Sequence, residues 1–383
     1  MAEVEKGLPN EPDLKVEDVA VDTVVEDIKE EPKEIEVTET ADGGAEISFD
    51  PNAVDPVSSS HDQNLAELLD DTILDPLGAK LVEEYKDYRS SRKDWEDCYR
   101  NGLDLLGFKY ERRTEPFRGA SGVTHPVLSE AVTQFQAQAY KELLPSDGPV
   151  RTQILGVQTP QKQDQSNRIK DFMNYQIMDQ MKEYEPEFDQ MLFYLPLSGS
   201  TFKKVYYDDL LGRAVSKFIP ADDLVVPYSA TSLDDAEAVV HVIKMSENDL
   251  RKQQVNGFYK DIDLAQPAMQ TDDIAKKEQE IEGVKQTKQD DIYTLLECHV
   301  NCEIEGFEDI GEDGMPTGIK LPYVITIEEG SRQILSIRRN YKEGDSKKTK
   351  TNYFVHFKFL PGLGFYGFGL IHMIGGLSRT ATS

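Results

Sequence analysis

Between His61 and Leu65 the chain changes character, and that break decides how much of it can fold around a core. Residues 1–62 are rich in Asp, Glu, Val, Pro and Thr, with Lys6, Lys15, Lys29 and Lys33 as the only basic residues and Phe49 as the only aromatic. Such a composition buries too little apolar area to offset its chain entropy. A disordered acidic tail is expected there, either solubilising or acting as a scaffold-binding arm. Beyond it, 38% hydrophobic residues over the 383-residue chain leave enough apolar side chains for two or three domains.

From Asn64 the apolar positions recur at three and four, through Leu65, Leu68, Leu69, Leu81, Tyr85, Tyr88, Trp95, Tyr99 and Leu103, which is the period of an amphipathic helix. A polar loop ending at Pro126 follows, then a helical pattern from Val127 to Leu144 that stops at Pro145 and Asp147-Gly148. Arg151 to Val157 alternates and predicts a strand. Asp164 to Met181 predicts a helix with Ile169, Phe172, Met173, Ile177 and Met181 as its stripe, and another helix carries Phe188, Met191, Leu192 and Leu195.

Between residues 200 and 245 the period falls to two, predicting strands at 202–207, 215–219, 224–226 and 236–245. Ser246, with Asp249 three residues on, reads as a helix cap. The stretch to Asp291 is polar and predicts helix and loop with little core. Residues 292–360 predict a second β-rich module, with strands at 293–305, 323–328, 334–338 and 353–360. A helix opens at Gly369 and runs to Ser383 without a capping signal, so the chain is expected to be a fragment. The fold class expected is α+β, with boundaries at 63–245, 246–291, 292–360 and 361–383. No internal repeat of solenoid length is present.

The net charge of -29 and a pI near 4.6 argue against a protein that grips nucleic acid by neutralising phosphates. They also disfavour an anionic membrane surface, and no run approaches the ~18 apolar residues of a spanning helix. No secretory signal is recognisable at the amino terminus. A reducing cytoplasm is the expected compartment, with Cys98, Cys298 and Cys302 as free thiols.

Cys298-His299-Val-Asn-Cys302 invites a metal reading, but in a strand positions 298, 300 and 302 share one face and His299 points to the other, so the ligands diverge. Asp309 to Lys320 begins like a calcium loop and fails at Gly311 and Lys320, where carboxylate oxygens are required. No metal site and no cofactor are expected. Gly362-Leu-Gly364-Phe-Tyr-Gly367 has the spelling of a dinucleotide loop. Pro361 and two aromatics crowd it, and the strand before it belongs to a β-rich module rather than a βαβ unit, so a packing turn is preferred. The histidines sit in unrelated contexts, with neither a nucleophile elbow nor a Walker loop, and no catalytic residue is assigned.

Several runs taken together resemble the portal, or head-tail connector, proteins of short-tailed phages. They are Phe117-Arg-Gly-Ala-Ser-Gly-Val-Thr-His-Pro-Val127, Asp171-Phe-Met-Asn-Tyr175, Phe188-Asp-Gln-Met-Leu192, Gly199-Ser-Thr-Phe-Lys-Lys-Val-Tyr-Tyr207, Ile219-Pro-Ala-Asp-Asp-Leu-Val-Val-Pro-Tyr228 and Pro361-Gly-Leu-Gly-Phe-Tyr-Gly-Phe-Gly369. Their order and spacing from about residue 65 onward carry the resemblance. It implies a subunit of a ring, usually of twelve copies, at one capsid vertex, through which double-stranded DNA enters and leaves the head. In those terms residues 63–245 form most of the wing, 246–291 a stem-like connector and 292–360 a clip-like module. The implied partners are further copies of the chain, DNA held weakly and without sequence specificity, the terminase packaging motor, major capsid and scaffolding proteins, and a tail adaptor, with no membrane. The virion is the implied location. Phe365, Tyr366 and Phe368 are candidates for subunit or core packing, and Arg112, Arg113, Lys203 and Lys204 for contact with DNA or a partner. Two other readings stay open: a nucleotide-binding enzyme using Gly362, Gly364 and Gly367, and a structural adaptor.

Overall fold

Near residue 200 the polypeptide turns from helices to sheets, as the change of period requires. A computed structural model describes residues 61–108, 125–208, 211–267, 272–284, 292–311 and 315–382, together with two short strands nearer the amino terminus. The chain divides into two units, Met1–Ser58 and Ser59–Ser383. In the first, β1 (Val37–Glu39) and β2 (Ala45–Ile47) pair antiparallel, Val37 opposite Ile47. The expected acidic tail thus contains one antiparallel pair of short strands. The rest of the tail lies outside the described residues.

In the second unit, helices α1 (Asp71–Ser91), α2 (Lys93–Leu103), α3 (Val127–Leu143), α4 (Pro160–Tyr175) and α5 (Tyr184–Ser198) precede strands β3 (Ser200–Asp208), β4 (Arg213–Pro220), β5 (Leu224–Val225) and β6 (Ala238–Ser246). Next come α6 (Glu247–Val255), α7 (Asp273–Glu282), β7 (Ile292–Cys302), β8 (Leu321–Glu328), β9 (Ile334–Arg339), β10 (Phe354–Lys358) and α8 (Leu370–Thr382). The class is mixed α+β, with eight helices and two antiparallel sheets, neither closed into a barrel, among the described residues of this unit.

The predicted elements are nearly all present, but the strands are shared out differently. The five-stranded sheet runs β5-β6-β7-β8-β9 and the three-stranded sheet β10-β3-β4. The two β-rich stretches are therefore interleaved: β6 pairs along its length with β7, and β10 crosses back to pair with β3, Val355 opposite Lys203. Residues 246–291 also contribute more core than their polarity suggests. Leu250, Tyr259 and Ile274 are all buried, Ile274 within a helical cluster with Tyr99, Leu103, Leu128, Leu197 and Ile371.

One face of the five-stranded sheet packs on α1 through Leu296, Cys298, Ile325 and Ile337 against Leu81, Val82 and Tyr85. The opposite side of β6 presents Val239 to Phe202, Phe354 and Phe365, while Leu295 of β7 and Leu335 of β9 meet Leu250 and Tyr259. Both faces of β7 are therefore covered, and its buried residues, Tyr293, Leu295, Leu296, Cys298, His299 and Val300, come from both. A buried ion pair bolts the sheets together: Lys204 Nζ of β3 lies 2.6 Å from the Glu297 carboxylate of β7. His299 Nε2 sits 2.7 Å from the same carboxylate. Burial alone would raise the Glu297 carboxyl, but Lys204 and His299 outweigh it and hold it well below the usual range.

The long helix predicted before residue 103 breaks at Arg92, whose side chain is buried. Its Nε donates to Glu96 at 2.8 Å, and one terminal nitrogen donates to the carbonyls of Ala221 and Leu224, both at 2.8 Å, and to the Tyr366 hydroxyl at 2.7 Å. The other terminal nitrogen donates to the Asp222 carbonyl. Trp95 and Tyr366 stack on each other, centroids 5.0 Å apart, and the guanidinium carbon lies 5.6 Å and 5.5 Å from the two rings. Arg92→Ala strands these acceptors in a dry site and is expected to cost about 3–5 kcal/mol. The check is the urea midpoint of the variant against the parent, with Arg92→Lys expected to recover little because an ammonium lacks the planar fork.

Candidate functional site

The glycine-rich turn is held by backbone contacts too close for any side chain. A Cβ on Gly199, itself at φ +89°, would lie 2.3 Å from the backbone of Phe368 and Gly369, and one on Gly367 would lie 2.4 Å from the Gly199 carbonyl oxygen. Three amides at the end of the turn are already used: Gly367 N donates to Ser200 Oγ at 2.7 Å, Phe368 N to the Leu360 carbonyl at 2.8 Å and Gly369 N to His372 Nδ1 at 3.1 Å. A pyrophosphate would find none of these three amides free. Phe365 is buried against Phe202 and His356, Tyr366 is tied to Arg92, and Phe368 stays partly exposed.

Lys203 and Lys204, candidates for contact with DNA or a partner, both point into the protein. Lys203 Nζ lies 4.0 Å and 4.7 Å from the ring centroids of Tyr184 and Phe188, and burial pushes its ammonium down to about 8. Lys204 is committed to Glu297. Strand alternation identifies two faces without saying which is covered, and here α5 covers the one face around Lys203 and the five-stranded sheet the other at Lys204. Arg112 and Arg113 lie outside the described residues.

Cys298 and His299 diverge as their strand positions require, the thiol into the α1 side and the imidazole toward Glu297. Asp309 is bound by Thr317 Oγ1 at 2.7 Å and by Lys348, a polar turn with its own cation. No group of His, Cys, Asp and Glu suited to a metal ion occurs among the described residues.

A cleft of about 490 Å³ that the linear sequence does not reveal opens between α1, α2, α7 and the turn before β5. Asp222 and Asp223 line it, with Glu278 of α7 close enough to couple to both. Burial raises the Asp222 carboxyl; burial and its neighbour Asp222 push Asp223 up to about 7. Burial, then Asp222 and Asp223, push Glu278 up to about 8. Cations face the cleft too: Arg89 is divided between Asp272 and Glu96, and Lys244 acts to lower all three carboxyls without offsetting their burial. Burial and mutual repulsion thus favour the protonated form of these carboxyls.

The remaining feature is an arm. Helix α4 has no buried residue: Ile169 is 45% and Phe172 58% exposed, and Met173 and Tyr175 are also open to solvent. A single π-turn, Met181 N to the Gln176 carbonyl at 3.0 Å, links it to α5. The segment predicted as a strand, Arg151 to Val157, forms none: it is irregular, belongs to no sheet and bends at Gly156 and Val157. It runs beside α4, tied by Thr152 Oγ1 to the Ser166 carbonyl at 3.2 Å and by Val150 N to Asn174 Oδ1 at 2.9 Å. Together they enclose a polar cleft of about 560 Å³ lined by Arg151, Gln153, Gln163, Asn167 and Lys170. No described helix is long and apolar enough to cross a membrane.

No family model matches the chain, and no curated protein matches it. In the acidic cleft the folded state keeps protons that the unfolded carboxylates release near pH 4. Stability from this cluster is therefore full below about pH 4 and is lost as pH rises through about 7 for Asp223 and about 8 for Glu278. Urea midpoints are expected to fall from pH 6 to pH 8.5, and Glu278→Gln to flatten that slope.

Proposed function

We propose that the chain is a portal subunit of a short-tailed-phage type, a structural ring component without catalytic activity, through which double-stranded DNA is packaged and ejected. The observation that carries this reading is α4. A helix of this length is marginal alone in water and is ordinarily stabilised by burying its apolar stripe. In a single copy that stripe is bare. A neighbouring copy would cover it, and ring closure would supply such a neighbour to every copy.

The charge supports the same reading. A conduit must let DNA slide, so strong phosphate contacts would have to be broken at every step. A net charge of -29, with Lys203 and Lys204 turned inward, disfavours such contacts. The nucleotide-enzyme alternative loses support because its glycine turn has no spare amides at Gly367, Phe368 or Gly369. In the portal reading the packaging motor, capsid and scaffolding proteins and tail adaptor dock on the ring, and its site is the portal vertex of the virion.

Negative-stain microscopy after size-exclusion chromatography tests the proposal, with rings around a central hole expected. Phe172→Asp is expected to abolish them while leaving the far-ultraviolet circular dichroism unchanged, because Phe172 is 58% exposed in the single chain. A parent protein that stays monomeric at high concentration would falsify the reading.

A further inference from the structure

Among the described residues of the second unit, specific contacts close the sheet edges at β9, β4 and β5, and β10 differs from them. On β9, Asn64 Nδ2 donates to the Leu335 carbonyl at 3.1 Å and Ile337 N donates to Asn64 Oδ1 at 2.9 Å, while Lys260 N also reaches Leu335. On β4, the Ser216 and Phe218 amides are taken by the carboxylates of Glu183 and Glu187. On β5, the Leu224 carbonyl accepts from Arg92 and from the Tyr366 hydroxyl. Open edges template pairing with other chains, and these contacts remove that opportunity.

Strand β10 is the exception. Val205 N donates to the Tyr353 carbonyl at 2.8 Å and Phe359 N to the Gly199 carbonyl at 3.0 Å, so the odd-numbered residues from 353 to 359 turn their backbone groups toward β3. In an antiparallel ladder the amides of Phe354, His356 and Lys358 then point the other way. Those three amides make no hydrogen bond among the described residues. Beside this edge Val355, Val205 and Tyr207 form an exposed apolar face of the three-stranded sheet, at 48%, 44% and 64%.

The arm presents the complementary deficit. The backbone groups from Arg151 to Leu155 make no hydrogen bond among the described residues, and burial alternates along them, with Thr152 and Ile154 the more covered. That is an irregular five-residue segment with unpaired backbone and alternating burial, matching the five residues of β10 in length. Helix α4 travels with it, offering the bare stripe of Ile169, Phe172 and Met173, and cations Lys162, Arg168 and Lys170 to an otherwise acidic chain.

We infer that Arg151–Leu155 of one copy adds as a fourth strand to the β10 edge of the next, carrying α4 onto the Val205, Tyr207 and Val355 face. Main-chain pairing supplies the register and the helix stripe covers the apolar face, the division of labour of β-augmentation. This rests on the ring reading and names the contact that would join neighbouring subunits.

Paired cysteines test it in a Cys98→Ser background, since Cys98 is exposed. Val355→Cys is combined with Ile154→Cys or with Thr152→Cys, the partners that antiparallel and parallel docking place opposite residue 355. Under mild oxidation of the full chain, one combination is expected to give a covalent ladder on a denaturing gel, and each single variant no species beyond a dimer. Rings visible by microscopy with no ladder from either combination would overturn this inference and leave the ring reading intact. Monomers alone would overturn both.

Discussion

A guanidinium taken out of water must have its donors met by oxygen, and much of this structure is arranged around meeting that demand for Arg92. The carbonyls of Ala221, Asp222 and Leu224 come from the turn between β4 and β5, Tyr366 from the glycine turn and Glu96 from α2. One side chain thus sets the break between two helices, the approach of a sheet edge and the position of the turn leading into α8. The Lys204–Glu297 pair does the corresponding work between the two sheets. Together the two contacts tie the helices, the glycine turn and both sheets to one another.

Periodicity made the elements legible and left their partners hidden. Helices α3 and α5, and strands β3, β4, β6, β7, β8 and β9, lie close to where the 3.6- and 2-residue patterns place them. The Ser246 cap is present as read, Asp249 N donating to Ser246 Oγ at 3.2 Å. Nothing in a strand's own alternation says that β10 returns to β3 instead of joining β9. The same limit explains the lysines: alternation put Lys203 and Lys204 on opposite faces, and only the tertiary arrangement buries both. Arg151 to Val157 is a different case: its alternation predicts a strand, and the segment is irregular and joins no sheet.

The acidic cleft was invisible for a physical reason as well. Asp222, Asp223 and Glu278 are ordinary members of a chain with 71 acidic residues, and what distinguishes them is convergence across more than fifty positions into a partly desolvated space. Each alone would be a solvated carboxylate. Together they resist ionising, and α7 is held to the body by ion pairs such as Arg89 with Asp272 and Lys277 with Asp104 at 2.7 Å against that repulsion. The connector is therefore a docked element whose attachment is a balance of opposed charges.

The return of β10 to β3 also governs the order in which the molecule can form. During synthesis β3 and β4 emerge as a hairpin long before the segment that pairs with Lys203 and covers Phe202. Until that segment arrives the hairpin has an unpaired edge and an apolar face, and an isolated two-stranded sheet is marginal in water. Closing this loop late gives the fold a high contact order, a slow final step and a period of exposure to neighbouring nascent chains. A chain made in many copies at once in one cell would then rely on its acidic charge to keep unfinished molecules apart.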